Sequence, residues 1–153
     1  MANTYTQLHI QLVFAVKYRE ALIQKEWKER LHQYITGILQ QNEHKLLQIN
    51  SMPDHIHIFI GMRPHQSISA LMQNAKSEST KWINNQKLCA SSFNWQEGYG
   101  AFSYGRSQID QVCKYVLNQK QHHAVKSFKT EYIDLLTLFE ISFNDKYLFE
   151  FYD

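Results

Sequence analysis

The chain has 153 residues, a formal net charge of +2, 44% hydrophobic and 20% charged residues, which is a globular composition and not a disordered or low-complexity one. No apolar run approaches the roughly 20 residues of a membrane span. The first residues lack the basic-then-apolar pattern of a secretory leader, and the two cysteines, Cys89 and Cys113, lack metal-type spacing. A single domain over residues 1–153 with reduced thiols in the cytoplasm is therefore expected. A charge this close to neutral confines any nucleic-acid surface to a local patch.

Residues 5–16 alternate, with Leu8, Ile10, Leu12, Phe14 and Val16 on one face and Gln7, His9 and Gln11 on the other. That pattern predicts a first strand. Lys17, Tyr18 and Arg19 follow as a basic loop with one aromatic. From Gln24 to Glu43, Trp27, Leu31, Tyr34, Ile35, Ile38 and Leu39 recur at helical spacing, predicting an amphipathic helix. Lys45 to Ser51 reads as a second strand. It joins through Met52-Pro53-Asp54 to a third, His55-Ile56-His57-Ile58-Phe59-Ile60-Gly61; so short a link predicts an antiparallel hairpin.

In that third strand, alternation puts three isoleucines on one face and His55 and His57 together on the other. Two readings stand at this point: an imidazole pair able to share one ion, or two histidines on the half-exposed face of an ordinary strand. Pro64 and Ser67 then open a helix running to about Asn85, with Ile68, Leu71, Met72, Ala75, Ser79 and Trp82 as its inward stripe. Its outer side carries Gln73, Lys76, Ser77, Thr80 and Lys81. Residues 88–94 break the pattern, and residues 96–104 read as a fourth strand. Its glycines, Gly98 and Gly100, mark a close approach by another group.

Ser107 to about His122 is predicted as one helix with Ile109, Val112, Cys113, Val116 and Leu117 buried. Ser127 or Thr130 caps a last short helix through Phe139, and an aromatic, acidic tail follows. The order β-α-β-β-α-β with appended helices is an α+β, ferredoxin-like arrangement: an antiparallel sheet with two helices on one face. The other face, which carries His55 and His57, is left for a ligand, a partner or the appended helices.

Tyr115 avoids its own helix's apolar stripe, and Gln119 lies one turn further on the same face. Taken alone, Tyr115 reads equally as a tyrosine half-packed against the sheet. Taken with the histidines, the set has a chemical logic. A phenol of pKa about 10 needs a polarised target. A divalent ion held by two imidazoles and the Gln119 amide oxygen would polarise a phosphodiester and keep positions free for phosphate oxygens.

His55-Ile56-His57, Tyr115-x-x-x-Gln119 and the βαββαβ order together resemble the single-tyrosine HUH transposases (insertion-sequence, IS200-like), from the first strand to about Tyr132. Pro53-Asp54-His55-Ile56-His57, Trp95-Gln96-Glu97-Gly98-Tyr99-Gly100-Ala101-Phe102-Ser103 and Asn118-Gln119-x-x-His122-His123 are similar to the family as well. The resemblance implies cleavage and rejoining of single-stranded DNA at hairpin-flanked ends. His55, His57 and Gln119 would hold Mg²⁺ or Mn²⁺, and Tyr115 would form a 5′-phosphotyrosine. It also implies a homodimer in which the tyrosine helix can complete the partner's histidine pair.

Lys17, Arg19, Lys76, Lys81 and Arg106 are candidate phosphate contacts, and Tyr18 or Tyr99 candidate stacking surfaces. Asp54 shapes the turn or orients a histidine. The acidic tail argues for packing on protein, not DNA. A domesticated repeat-associated relative, a rolling-circle-type endonuclease, a hydrolase using water as nucleophile and a non-catalytic RNA-binding module remain as alternatives.

Overall fold

The computed structural model describes residues 3–18 and 21–152. Four strands, β1 (His9–Ala15), β2 (Lys45–Met52), β3 (His55–Gly61) and β4 (Gly100–Tyr104), form one antiparallel sheet in the order β2-β3-β1-β4. Helices α1 (Lys25–Gln41) and α2 (Ile68–Asn85) supply the βαββαβ order. The expected ferredoxin-like arrangement is therefore present.

The isoleucines of β3 set the main core. Ile56, Ile58 and Ile60 pack with Leu12 and Phe14 against Leu31, Ile35, Leu71 and Met72 of the two helices. Ser67 caps α2 by accepting from the Ala70 N–H. The inward stripe of α2 differs at its end: Ile83 is fully buried, while Trp82 stays half-buried and stacks on Tyr34.

The second sheet face is covered by the chain's own later helices, α3 (Ile109–Leu117), α4 (Gln119–His123) and α5 (Phe128–Leu138). Phe59, Val112 and Val116 make a smaller core there. The histidine face of β3 is thus not half-exposed. His55 and His57 retain 1% and 0% of their accessible surface.

Three expectations need correction. The first strand begins at His9, leaving Leu8 exposed. The fourth strand is shorter than residues 96–104. Gly98 takes a positive φ of 82°, so the pairing with β1 is interrupted there and residues 94–96 meet the end of β1 only as an isolated bridge, Trp95 opposite Val16, which the Gln96 side chain fastens to Val16 and Glu150 backbone groups. The predicted helix through His122 breaks at Asn118, where Asn50 of β2 donates to the last α3 carbonyls, those of Val116 and Leu117. Leu117 therefore sits at a helix end and is exposed, not buried.

The tail packs on this chain. Glu150 pairs with Gln96, Phe149 is buried beside Tyr132 and Phe128, and the Tyr152 hydroxyl donates to the Lys17 carbonyl. Among the described residues no helix is long and apolar enough to cross a membrane.

Candidate metal and nucleophile site

The Pro53-Asp54 turn is tied to the end of β1, because Asp54 and Pro53 carbonyls accept from the Val16 and Ile23 N–H groups. This fixes the start of β3 and hence His55. The Asp54 carboxylate lies 2.7 Å from His55 Nδ1. A carboxylate only accepts, so Nδ1 carries the proton and Nε2 turns its lone pair toward the site. The His55 ring is stacked on Phe128 at 3.7 Å between centroids.

His57 is held from β1, with Gln11 Nε2 2.8 Å from its Nδ1 and the Tyr104 hydroxyl donating to Gln11 Oε1 at 2.7 Å. Turning the Gln11 amide over would let it accept from His57 Nδ1–H instead, since a tyrosine hydroxyl can donate or accept. Burial pushes the His57 pKa down against the opposing influence of Glu131.

These two Nε2 atoms meet a carboxylate that the sequence reading passed over. Glu131 projects from the first turn of α5 and is 2% exposed. Its Oε1 lies 3.1 Å from His57 Nε2, 3.1 Å from His123 Nε2 and 3.6 Å from His55 Nε2. Its Oε2 accepts from the Tyr115 hydroxyl. Burial alone would raise the Glu131 pKa. Hydrogen bonds from His123 and His57, and the charges of His57 and His55, outweigh it and hold the carboxyl far below the usual range.

Gln119 closes the set. Although the helix breaks before it, its Nε2 donates to the Tyr115 carbonyl at 3.2 Å. That contact aims Oε1 at His55 Nε2, 3.4 Å away, and at His123 Nε2, 3.0 Å away. The Tyr115 ring stands edge-on to His57, with centroids 5.8 Å apart, and so meets the histidine pair of its own chain. Burial, then the neighbouring Glu131 charge, raises the Tyr115 pKa well above a free phenol's.

The residues fit a divalent ion. Metal–ligand bonds of about 2.0–2.2 Å put neighbouring donors about 3–3.5 Å apart, and the ligand atoms of His55, His57 and Glu131 all lie within 4.8 Å of one another. Beside this cluster opens a cavity of about 320 Å³ with Tyr115, His122 and Glu131 in its wall. Val112, Leu135 and Leu138 form its apolar side, and Gln108, Gln111 and Lys126 contribute polar groups.

The family model for the IS200-like transposases matches residues 4–119, most of the chain and all but the last two helices and the tail. The chain belongs to the IS200-like transposase family. It is 25% identical over 119 residues to the ISDra2 transposase TnpA of Deinococcus radiodurans, covering 74% of this chain and 84% of that one. Two solved structures share the fold. One is a 1.90 Å crystal structure of a provisionally assigned transposase from Deinococcus radiodurans R1, with TM-score 0.61, 22% identity and coverage of 78% and 95%. The other is a REP-associated tyrosine transposase bound to a REP hairpin, with TM-score 0.59, 13% identity and coverage of 83% and 76%.

In this IS200-like chain the structure brings His55, His57, Tyr115 and Gln119 together, with Asp54 behind His55. It does not bring the basic candidates there. Lys76 donates to the Gln96 and Gly98 carbonyls at 2.6 and 2.9 Å, pinning the loop before β4. Lys81 is exposed and pairs with Glu78, Lys17 lies over Tyr18, and Arg106 is in an exposed 3₁₀ turn. Arg19 lies outside the described residues. Tyr99 packs against the main core.

Three residues were missed: Gln11, His123 and Glu131. Glu131 did leave a signal, since it falls within the apolar stripe Phe128-Tyr132-Leu135 of its helix, where an unpaired carboxylate would be costly. His123 falls on no apolar stripe and carries no local signal beyond its place after Gln119, yet its ring is 7% exposed and its Nδ1 bonds the Lys126 carbonyl.

Proposed function

We propose that this transposase-family protein cleaves and rejoins single-stranded DNA at hairpin-flanked ends, with Tyr115 as nucleophile. The observation that carries this reading is one carboxylate, Glu131, shared between the Tyr115 hydroxyl and the His55–His57 pair at the wall of an open cavity. His55, His57 and Gln119, with Glu131, would hold a divalent ion, Mg²⁺ or Mn²⁺. When bound, it supplies Lewis-acid polarisation of the scissile phosphate.

The chain's own residues do the rest. Asp54 and Gln11 fix the two imidazole rings, and the Gln119 contact with the Tyr115 carbonyl ties the nucleophile to the same centre. Glu131 Oε2 receives the phenol proton as the Tyr115 oxygen bonds to phosphorus and the bond to the 3′-oxygen breaks. The departing oxygen takes a proton from water and leaves as a 3′-OH. The 5′-phosphotyrosine conserves the bond energy, so the reverse attack by a 3′-OH rejoins DNA without a nucleotide cofactor. Cutting two ends requires two such tyrosines, which favours action as a homodimer in the cytoplasm.

Incubation with Mn²⁺ or Mg²⁺ and single-stranded hairpin DNA from the flanks of the gene tests this on a denaturing protein gel. A covalent protein–DNA adduct that disappears in Tyr115→Phe is expected. Cleavage that survives Tyr115→Phe would assign the reaction to water, and binding without cleavage under either ion would assign a binding module. Inverted repeats beside the gene indicate a mobile element, and many dispersed repeat hairpins a domesticated one.

A further inference from the structure

The cavity beside the ion cluster has two unlike walls, and neither suits a phosphate. On one, Val112 of α3 meets Leu135 and Leu138 of α5, and Leu138 is 71% exposed at the mouth. On the other, the rings of Tyr115 and His122 stand edge-on, with centroids 4.9 Å apart. Two carboxylates, Glu131 and Asp134, line the space with one lysine, Lys126, and that lysine is already paired with Asp134 at 2.7 Å. Such a wall offers an anion no free cation. Gln111 lies on α3 one turn before Tyr115, on the same helical face. Among the described residues its amide makes no hydrogen bond to the protein, whereas Gln108 Oε1 accepts from the Gly105 N–H at 2.9 Å. At about 320 Å³ the space is at the small end of the about 300–1,000 Å³ typical of pockets for small ligands. One flat ring system fits it, and a duplex does not.

We propose that this cavity receives the base of the nucleotide on the 3′ side of the cut, the one whose phosphate becomes joined to Tyr115, and that Gln111 hydrogen-bonds its edge. The inference rests on Tyr115 being the nucleophile and adds a position that the protein itself reads. A base is neutral and flat, apolar on its faces, with donors and acceptors on its rim. Proteins hold unstacked bases between apolar or aromatic side chains, with hydrogen bonds to the edge. An amide offers a donor beside an acceptor, which a base edge can meet at two points. Of the two nucleotides at the cut, the 3′ one stays attached to Tyr115, which lines the cavity, while the 5′ one departs with its 3′-OH. Capture of the 3′ base thus seats the scissile phosphate at Tyr115 and holds the phosphotyrosine strand until a 3′-OH returns. A paired base cannot enter, so the same cavity selects single strands at the cut.

The test varies single nucleotides of the hairpin substrate, on the full chain with Mn²⁺, and reads single-turnover adduct formation on the denaturing gel. Removing the base 3′ of the mapped cut should slow the reaction by about tenfold or more, the scale of a lost base-stacking contact, while removing the base 5′ of it should change the rate by less than about threefold. The four bases at the 3′ position should react at unequal rates, and Gln111→Leu should level them. Leu138→Trp, at an exposed position, fills the mouth and should erase the advantage of the base-bearing substrate over the abasic one. Equal rates for those two substrates in the unaltered protein, or a loss confined to the base on the 5′ side, overturn the inference and leave the nucleophile reading standing. So does a Leu138→Trp protein that keeps the full advantage, since the base then lies elsewhere. A four-base preference that survives Gln111→Leu overturns the role of Gln111. An unaltered protein that forms no adduct with any of the substrates overturns this inference and the nucleophile reading together.

Discussion

Two groups of buried histidines differ in where the second ring nitrogen goes. His44 is 3% exposed and spends both nitrogens on the protein: Nδ1 accepts from the Arg63 N–H at 3.0 Å and Nε2 meets Gln66 at 2.8 Å. Its ring stacks on His65, and nothing remains to bind. His55, His57 and His123 instead have one nitrogen fixed from behind and the other directed at Glu131. Burial alone therefore does not separate a structural histidine from a chemical one. The partner of the second nitrogen does.

The largest expected contrast comes from alanine at one member of each group. His57→Ala should lower the rate of adduct formation by at least about a thousandfold, as removal of a group that acts with others at the reacting centre does. His44→Ala should leave that rate within about threefold. Its cost should appear in stability, about 1–3 kcal/mol, because the Arg63 N–H loses its acceptor. Chemical denaturation alongside the gel assay measures both. A His44→Ala protein that is stable but inactive would erase the distinction.

Next in size is Glu131→Gln, which keeps the shape of the side chain and removes its capacity to take the tyrosine's proton. Loss of a general base costs about 10²–10⁴-fold in rate. Single-turnover adduct formation should fall in that range while hairpin binding, followed by fluorescence anisotropy, is retained. An unchanged rate would show that Tyr115 delivers its proton elsewhere.

The sequence patterns made the architecture and half of this cluster legible, for a physical reason. Strand alternation and helical periodicity place side chains relative to their own element, so His55 with His57, and Tyr115 with Gln119, were visible as pairs. What joins elements was not. Gln11 looked like one of several polar residues on the outer face of a strand, because nothing local says that α3 to α5 fold over that face and bury it. Glu131 sits 74 residues from His57, and only tertiary packing makes them neighbours. The break at Asn118 was hidden as well, since it depends on Asn50 capturing the carbonyl of Val116, 66 residues along the chain.

His32 offers an intermediate case: it is buried on α1, and its Nε2 meets the Ser51 hydroxyl at 2.8 Å. Burial pushes its pKa down to about 4 against a partial opposing pull from Glu29. The folded pKa is thus below the ordinary value of about 6.5. Between those two values the unfolded chain binds a proton that the folded chain does not. The contribution is complete above pH 6.5 and is lost as pH falls toward 4, amounting to about 3 kcal/mol at about 1.4 kcal/mol per pKa unit. His57, also depressed by burial, acts in the same direction. Denaturation at stepwise pH should therefore show a shallower loss in His32→Gln than in the unaltered protein. Equal slopes would place His32 outside the buried structural set.

The smallest expected effect acts on the chemical group alone, from behind. A Cβ on Gly100 would lie 2.9 Å from both Cε1 and Oη of Tyr132 and 3.0 Å from Phe102 Cε2. The strand glycine exists to admit that ring, which follows Glu131 on α5 and packs on Phe149. Gly100→Ala must displace Tyr132, at the about 1–3 kcal/mol typical of overpacking, and so shift the first turn of α5 that positions Glu131. His44 and its partners lie on other elements and feel nothing of this. The variant should lose stability modestly and weaken Mn²⁺ binding, while Gly37→Ala, where an added Cβ meets nothing within 4 Å, should gain about 0.5–1 kcal/mol through helix propensity and bind the ion unchanged. Equal Mn²⁺ affinity in the two variants would show that α5 holds Glu131 independently of Tyr132, so that the ring's packing contributes to the fold and not to the site.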